Sequence, residues 1–152
     1  MIAVVLAAAV AFMPDPSRTP GATNPAVSQG NIQSTICVPG WSASVRPPQH
    51  DSFILKVRQM RAWGITGKPS LYEGDHDIPI SAGGDPVSPL NRWVESWKGK
   101  CGAHAKDRLE LLVHRRICSG RMTLAEGQAV FTGNWVEGFN RLVGPLHCPS
   151  GP

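Results

Sequence analysis

Asp75 and His76 stand side by side in YEGDHDIPISAGGDPVSPLNRW, the stretch 72–93. Cutting a phosphodiester needs a base that takes a proton from water. It also needs a cation to offset the charge that develops on the phosphate and on the leaving oxygen. Asp75 offers a hard carboxylate oxygen, the ligand type that Mg²⁺ prefers. His76 offers an imidazole whose ordinary pKa leaves it neutral, and so basic, near pH 7. His104 opens the basic stretch GAHAKDRLE and is a second candidate ligand, about 30 residues beyond Asp75.

These groups need elements to hold them. Residues 71–80 read as a strand, ended by the Ala82-Gly83-Gly84-Asp85-Pro86 turn, and 91–94 as a second short strand or turn. A helix is predicted from about Ala103, with Ala105, Leu109, Leu112, Val113 and Ile117 on one face and His104, Arg108 and Arg115 on one flank. Strand, Gly-rich turn, strand and helix make a ββα outline. Neighbouring strand residues point to opposite faces, so Asp75 and His76 can flank one cavity only at the strand's end, where the chain turns. A helix over 52–63 capped by Asp51 is predicted to precede the hairpin. A last helix, with Thr123-x-x-Glu126 as its capping box and Leu124, Phe131, Trp135, Phe139 and Leu142 as its apolar stripe, is predicted to follow.

At 152 residues and 41% hydrophobic content, the chain has room for one modest domain. Its fourteen Pro and sixteen Gly favour turns over a large regular sheet. The net charge is +4, but seven cations against two acids between Lys98 and Arg121 give that segment +5. Such a patch attracts phosphates, although a solvated helix face has the same composition. Lys106, Arg108 and Arg115 are the candidate nucleic-acid contacts. Trp41, Trp63, Trp93 and Trp135 read as core rather than as base-stacking residues.

The apolar run 1–13 is too short to span a bilayer and is similar to a signal-peptide core, although no Lys or Arg precedes it. It implies export or a membrane tether. The Pro-rich stretch 14–30 reads as a disordered linker, 31–144 as the folded domain and 145–152 as a flexible tail. Four cysteines fit an exported chain with two disulfides, in any of three pairings. A zinc site drawn from Cys101, His104, His114 and Cys118 is the rival reading. It is disfavoured because the two His lie ten residues apart, about 15 Å along one helix.

Asp75-His76-x-Ile78-Pro79, Gly83-Gly84 and Asn91-x-Trp93 together resemble the HNH-type, or ββα-metal, endonuclease motif. The resemblance extends to small bacterial proteins with the pattern YE-x-DH-x-IP-x-x-x-GG, N-x-W-P-E and KD-x-x-E, and covers roughly 24–141. It implies an α+β fold with an HNH-like hairpin-plus-helix core, additional helices and an irregular N-terminal arm. His76 would be the catalytic base, and Asn91 would pin the loop between the strands. Asp75 and His104 would hold one divalent ion, Mg²⁺ first, with Mn²⁺ or Zn²⁺ as alternatives. Cys37–Cys118 is the expected disulfide, which leaves Cys101–Cys148. Three positions depart from the pattern: Asp77 replaces an apolar residue, and Arg92 and Val94 replace Leu and Pro around Trp93.

The expected function is metal-dependent hydrolysis of nucleic acid, double-stranded DNA first and RNA second, by an exported bacterial protein. Two alternatives belong to other classes. One is a non-catalytic exported protein that keeps the scaffold for structure or binding. The other is a disulfide- or zinc-stabilised nucleic-acid-binding module.

Overall fold

The computed structural model describes residues 12–148; the run 1–11 and residues 149–152 lie outside them. The architecture is α+β. Strands β1 (Tyr72–His76) and β2 (Arg92–Ser96) form an antiparallel hairpin that pairs Glu73 with Glu95, Asp75 with Trp93 and His76 with Arg92. Around it stand, among the described residues, five α-helices: α1 (Trp41–Val45), α2 (Gln49–Ala62), α3 (Ala103–Cys118), α4 (Leu124–Ala129) and α5 (Trp135–Leu142). Helix α2 packs on both strands, while α3 packs on the turn Ile80–Ala82 and on α4 and α5. The core lies between these last helices and the N-terminal arm. Leu109, Val113 and Ile117 meet Leu124, Phe131, Trp135 and Phe139 there, with Ile32 and Ile36 closing one side. The hairpin lies outside this apolar cluster, yet Arg92, Trp93, Val94 and Glu95 of β2 are buried.

Several elements differ from expectation for identifiable reasons. Helix α2 starts at Gln49, directly after Pro48, so Asp51 sits in its first turn instead of capping it. A carboxylate there still suits the helix's positive end. Strand β1 stops at His76: Asp77 N–H still donates in register to the Asn91 carbonyl, but Asn91 N–H donates to Ser88 instead of back to Asp77. The expected last helix is two helices. The Thr123–Glu126 capping box forms as read, but Gly133 adopts a left-handed φ of 99°. Asn134 then caps α5 by accepting from Val136 and Glu137 N–H.

The stretch 14–30 is not a free linker. Gly21 N–H donates to the Leu90 carbonyl, Asp85 N–H to Ala22 and Asn24 N–H to Gly83, while Thr23 forms an antiparallel bridge with Gly84. Composition shows how little apolar surface this stretch has. It does not show that an unpaired backbone edge in the 77–91 loop awaits it. The tail is tied down as far as Cys148 by a disulfide and by Leu146 N–H donating to Asn140 Oδ1.

All four cysteines are bonded, Cys37 to Cys118 and Cys101 to Cys148. This removes the cysteine-based zinc site. The bridges close spans of 81 and 47 residues, and each contributes about 4 kcal/mol by restricting the unfolded chain. Thiol titration of the native protein should find no reactive cysteine, and reduction should lower the melting temperature by about 10 °C or more. Four titratable thiols in folded protein would contradict the pairing. Among the described residues no helix is long and apolar enough to cross a membrane.

Candidate functional site

The hairpin is built around Asn91. Its Oδ1 accepts from Ile78 N–H (2.9 Å) and Ala22 N–H (3.2 Å). Its Nδ2 donates to the carbonyls of Ile78 (2.9 Å) and Asp85 (3.0 Å). The side chain is fully buried and its amide capacity is spent on both ends of the loop and on the arm. Close approach is allowed by Gly84, where a Cβ would meet the Ile78 carbonyl oxygen at 1.8 Å. Asn91→Ala should cost on the order of 3 kcal/mol, because it strands several buried backbone groups at once. Urea unfolding measures this, and a loss below about 1 kcal/mol would deny the pin.

Strand alternation and register sort the strand residues onto two faces. Glu73, Asp75, Trp93 and Glu95 share one face; Gly74, His76 and Arg92 share the other. The first face meets α3 through Lys106, whose side chain is 0% exposed. Lys106 Nζ donates to Asp75 Oδ2 (2.7 Å), Glu110 Oε1 (2.6 Å) and the His76 carbonyl (2.7 Å), which uses all three of its protons. Burial alone would lower this ammonium's pKa, but Asp75 and Glu110 hold it above its ordinary value. Burial likewise opposes the Asp75 carboxylate, and Lys106 outweighs it and holds Asp75 below its ordinary value. Lys106 is therefore a buried clamp, which corrects its reading as a surface phosphate contact.

Glu73, Asp75 and Glu95 gather on this face, each offering a carboxylate oxygen within 4.8 Å of the others. Glu95 is 1% exposed with both oxygens unpartnered, and Glu73 Oε2 is also unpartnered. Burial and then the Asp75 charge push Glu95 up to about 11 and Glu73 up to about 8. Orphaned buried carboxylates with raised pKa values are what a hard divalent cation satisfies. Asp77, the departure after His76, is also buried, and burial raises it to about 6.

His104 does not join this group. Its side chain is 78% exposed, its ring lies 4.9 Å from that of Trp97, and Nδ1 is 3.9 Å from Asp107. Helix geometry explains the outcome. Residues two apart on a helix point about 200° away from each other, so a helix that aims Lys106 inward aims His104 outward. Arg108 lies over the Phe139 ring and Arg115 is exposed further along α3.

The second face floors a cleft of about 530 Å³ between the hairpin, α2 and the α1–α2 junction. His76, Arg92, Arg46, Lys56 and Glu73 line it. His76 Nε2 is 3.1 Å from the Pro86 carbonyl. A carbonyl only accepts, so Nε2 carries the proton and Nδ1 keeps its lone pair. Burial is the main cause that lowers this imidazole to about 4; Asp75 opposes it, while Arg92 and Arg46 add to it. Beside it Arg92 is 3% exposed, with Nε and Nη2 unpartnered. Burial and then the Arg46 charge both disfavour the Arg92 cation. What this wall lacks is an anion.

Asp75 and His76 thus stand on opposite faces, and the expectation that both line one cleft is corrected. Glu73, which lines the cleft and also belongs to the carboxylate group, connects the two halves. Sequence reasoning missed Arg46, Lys56, Glu73 and Glu95. A signal for the last two was present. They are the glutamates of the YE and N-x-W-P-E segments, and Lys106 and Glu110 are the lysine and glutamate of KD-x-x-E. Set against known proteins, the chain matches no family model, no curated protein and no solved structure.

Proposed function

We propose that the protein hydrolyses phosphodiester bonds of nucleic acid, as an HNH-like ββα-metal endonuclease, with His76 as the base. One observation carries the reading. A neutral imidazole with a free Nδ1 stands beside a buried guanidinium with two unpartnered nitrogens, in a cleft that two further cations line. Water would give its proton to His76 Nδ1 as its oxygen bonds to phosphorus. The P–O ester bond breaks, and the leaving oxygen takes a proton from solvent. Arg46 and Lys56 would donate to the phosphate oxygens, where charge develops, and the Arg92 guanidinium would add positive charge from beneath the cleft surface. A bound phosphate also offsets the Arg92 and Arg46 charges, so the basicity of His76 rises when substrate enters.

Glu73, Asp75 and Glu95 would hold the divalent ion, in place of the Asp75–His104 pair that the resemblance implies. All-oxygen donors favour Mg²⁺ or Mn²⁺ over Zn²⁺. When bound, the ion supplies positive charge that offsets the charge developing on the phosphate.

Plasmid nicking with Mg²⁺, Mn²⁺ or Zn²⁺, with EDTA as the control, tests the reading. Nicking should require the divalent ion and stop in EDTA. Cleavage that persists in EDTA would remove the ion from the reading. A second reading, a retained scaffold without catalysis, is favoured by one fact: the Lys106 ammonium already occupies Asp75. Absence of cleavage with every metal would select it.

A further inference from the structure

We infer that the His76 cleft takes an unstacked nucleotide of single-stranded nucleic acid, with its phosphate on Lys56 and Arg46 and its base on the aromatic rings that line the cleft. This rests on the phosphodiesterase reading and narrows its substrate from duplex to single strand.

The cleft is lined by cations and by aromatic rings. Arg92 lies beneath its surface, with Nε and Nη2 unpartnered and shielded from solvent. Lys56 Nζ donates to the carbonyls of Pro69 and Tyr72, both at 2.9 Å, which leaves one of its three protons unspent. Arg46 stands exposed at the mouth. Phe53, Tyr72 and Trp97 are the aromatic residues of the lining. Phe53 is 50% exposed, a large apolar surface that the fold leaves uncovered. The Lys56 ammonium sits 5.5 Å from its centroid, so charge and ring adjoin. Trp97 is buttressed by the His104 ring, which assigns that exposed histidine a supporting place at the rim.

The floor is Gly74. A Cβ there would come within 3.3 Å of Lys56 Cβ and 3.6 Å of Arg92 Nη2, so any side chain would press on the Lys56 stem and the Arg92 guanidinium. The volume of about 530 Å³ suits a compact ligand of nucleotide size. A duplex hides its base faces in the stack and offers only phosphates to such a cleft. A single strand offers a phosphate and a free base face together, and aromatic stacking contributes about 1–3 kcal/mol per base.

The test uses the full chain in EDTA, so that binding is read without metal-dependent cleavage. Fluorescence anisotropy would compare labelled oligothymidylate, oligouridylate and a DNA duplex of equal length. Single strands should bind about tenfold tighter than the duplex, and Phe53→Ala should weaken them about tenfold while leaving duplex binding unchanged. Because Phe53 is half exposed, that variant keeps its fold, which circular dichroism checks. Gly74→Val should abolish single-strand binding in a protein with two intact disulfides. Comparing the two oligomers distinguishes DNA from RNA. Duplex bound as tightly as single strand, or Phe53→Ala binding like wild type, would overturn the inference. Single-strand binding without cleavage would uphold it and remove the nuclease reading instead.

Discussion

His76→Ala should reduce nicking by about 10²–10⁴-fold while single-stranded DNA still binds. The expected loss is large because no other described imidazole faces the cleft. His104 stands outward against Trp97, and His114 is bonded to the Ile36 carbonyl. Binding should survive because Lys56, Arg46 and the aromatic residues of the lining are unchanged. The substitution removes a buried hydrogen bond to Pro86, so a melting curve must accompany the assay. A folded His76→Ala protein that cleaves as fast as wild type would end the catalytic assignment. A wild type that cleaves nothing with any divalent metal would leave the hairpin as a retained scaffold.

Lys106→Met should destabilise the protein by about 3–5 kcal/mol, because it removes the ammonium that bonds buried Asp75 and partly buried Glu110. For a chain of this size that corresponds to a melting temperature lower by about 10 °C. The pH window follows from the signs. Asp75 is held below its ordinary 3.8, so its contribution is present above that value and lost as pH falls through the lowered one. Lys106 is held above its ordinary 10.5, so its contribution is present below that value and lost as pH rises further. The gap between variant and wild type should therefore be widest between about pH 4 and 10 and should narrow in acid. A divalent cation should stabilise the variant more than wild type, since the carboxylate group then lacks its internal cation. A variant within about 1 kcal/mol of wild type at pH 7, with no response to Mg²⁺, would deny both the clamp and the cation site.

Much of the frame was legible from local signals. The 3.6-residue pattern placed α3, because Leu109, Val113 and Ile117 repeat on one side whatever they pack against. Thr123 and Glu126 announced a helix start through chemistry confined to four residues. Gly83-Gly84 between two short runs marked the hairpin; the resemblance, not a local signal, implied Asn91 as its pin, and Asn91 carries four hydrogen bonds there. The site itself depended on partners distant in the chain. Antiparallel register set Glu95 opposite Glu73 and His76 opposite Arg92, and strand alternation then parted Asp75 from His76.

The rotation of α3 turned Lys106 inward and His104 outward, although both are basic residues of one segment. The 14–30 stretch gained its order from backbone bonds to a loop about 60 residues away, and a Pro-rich composition says nothing about such bonds. Types, spacings and caps are properties of neighbouring residues, and the sequence by itself determined them. Which carboxylates meet, which cation is buried and which face opens on the cleft depend on burial and register across the chain, and only the tertiary structure decided them.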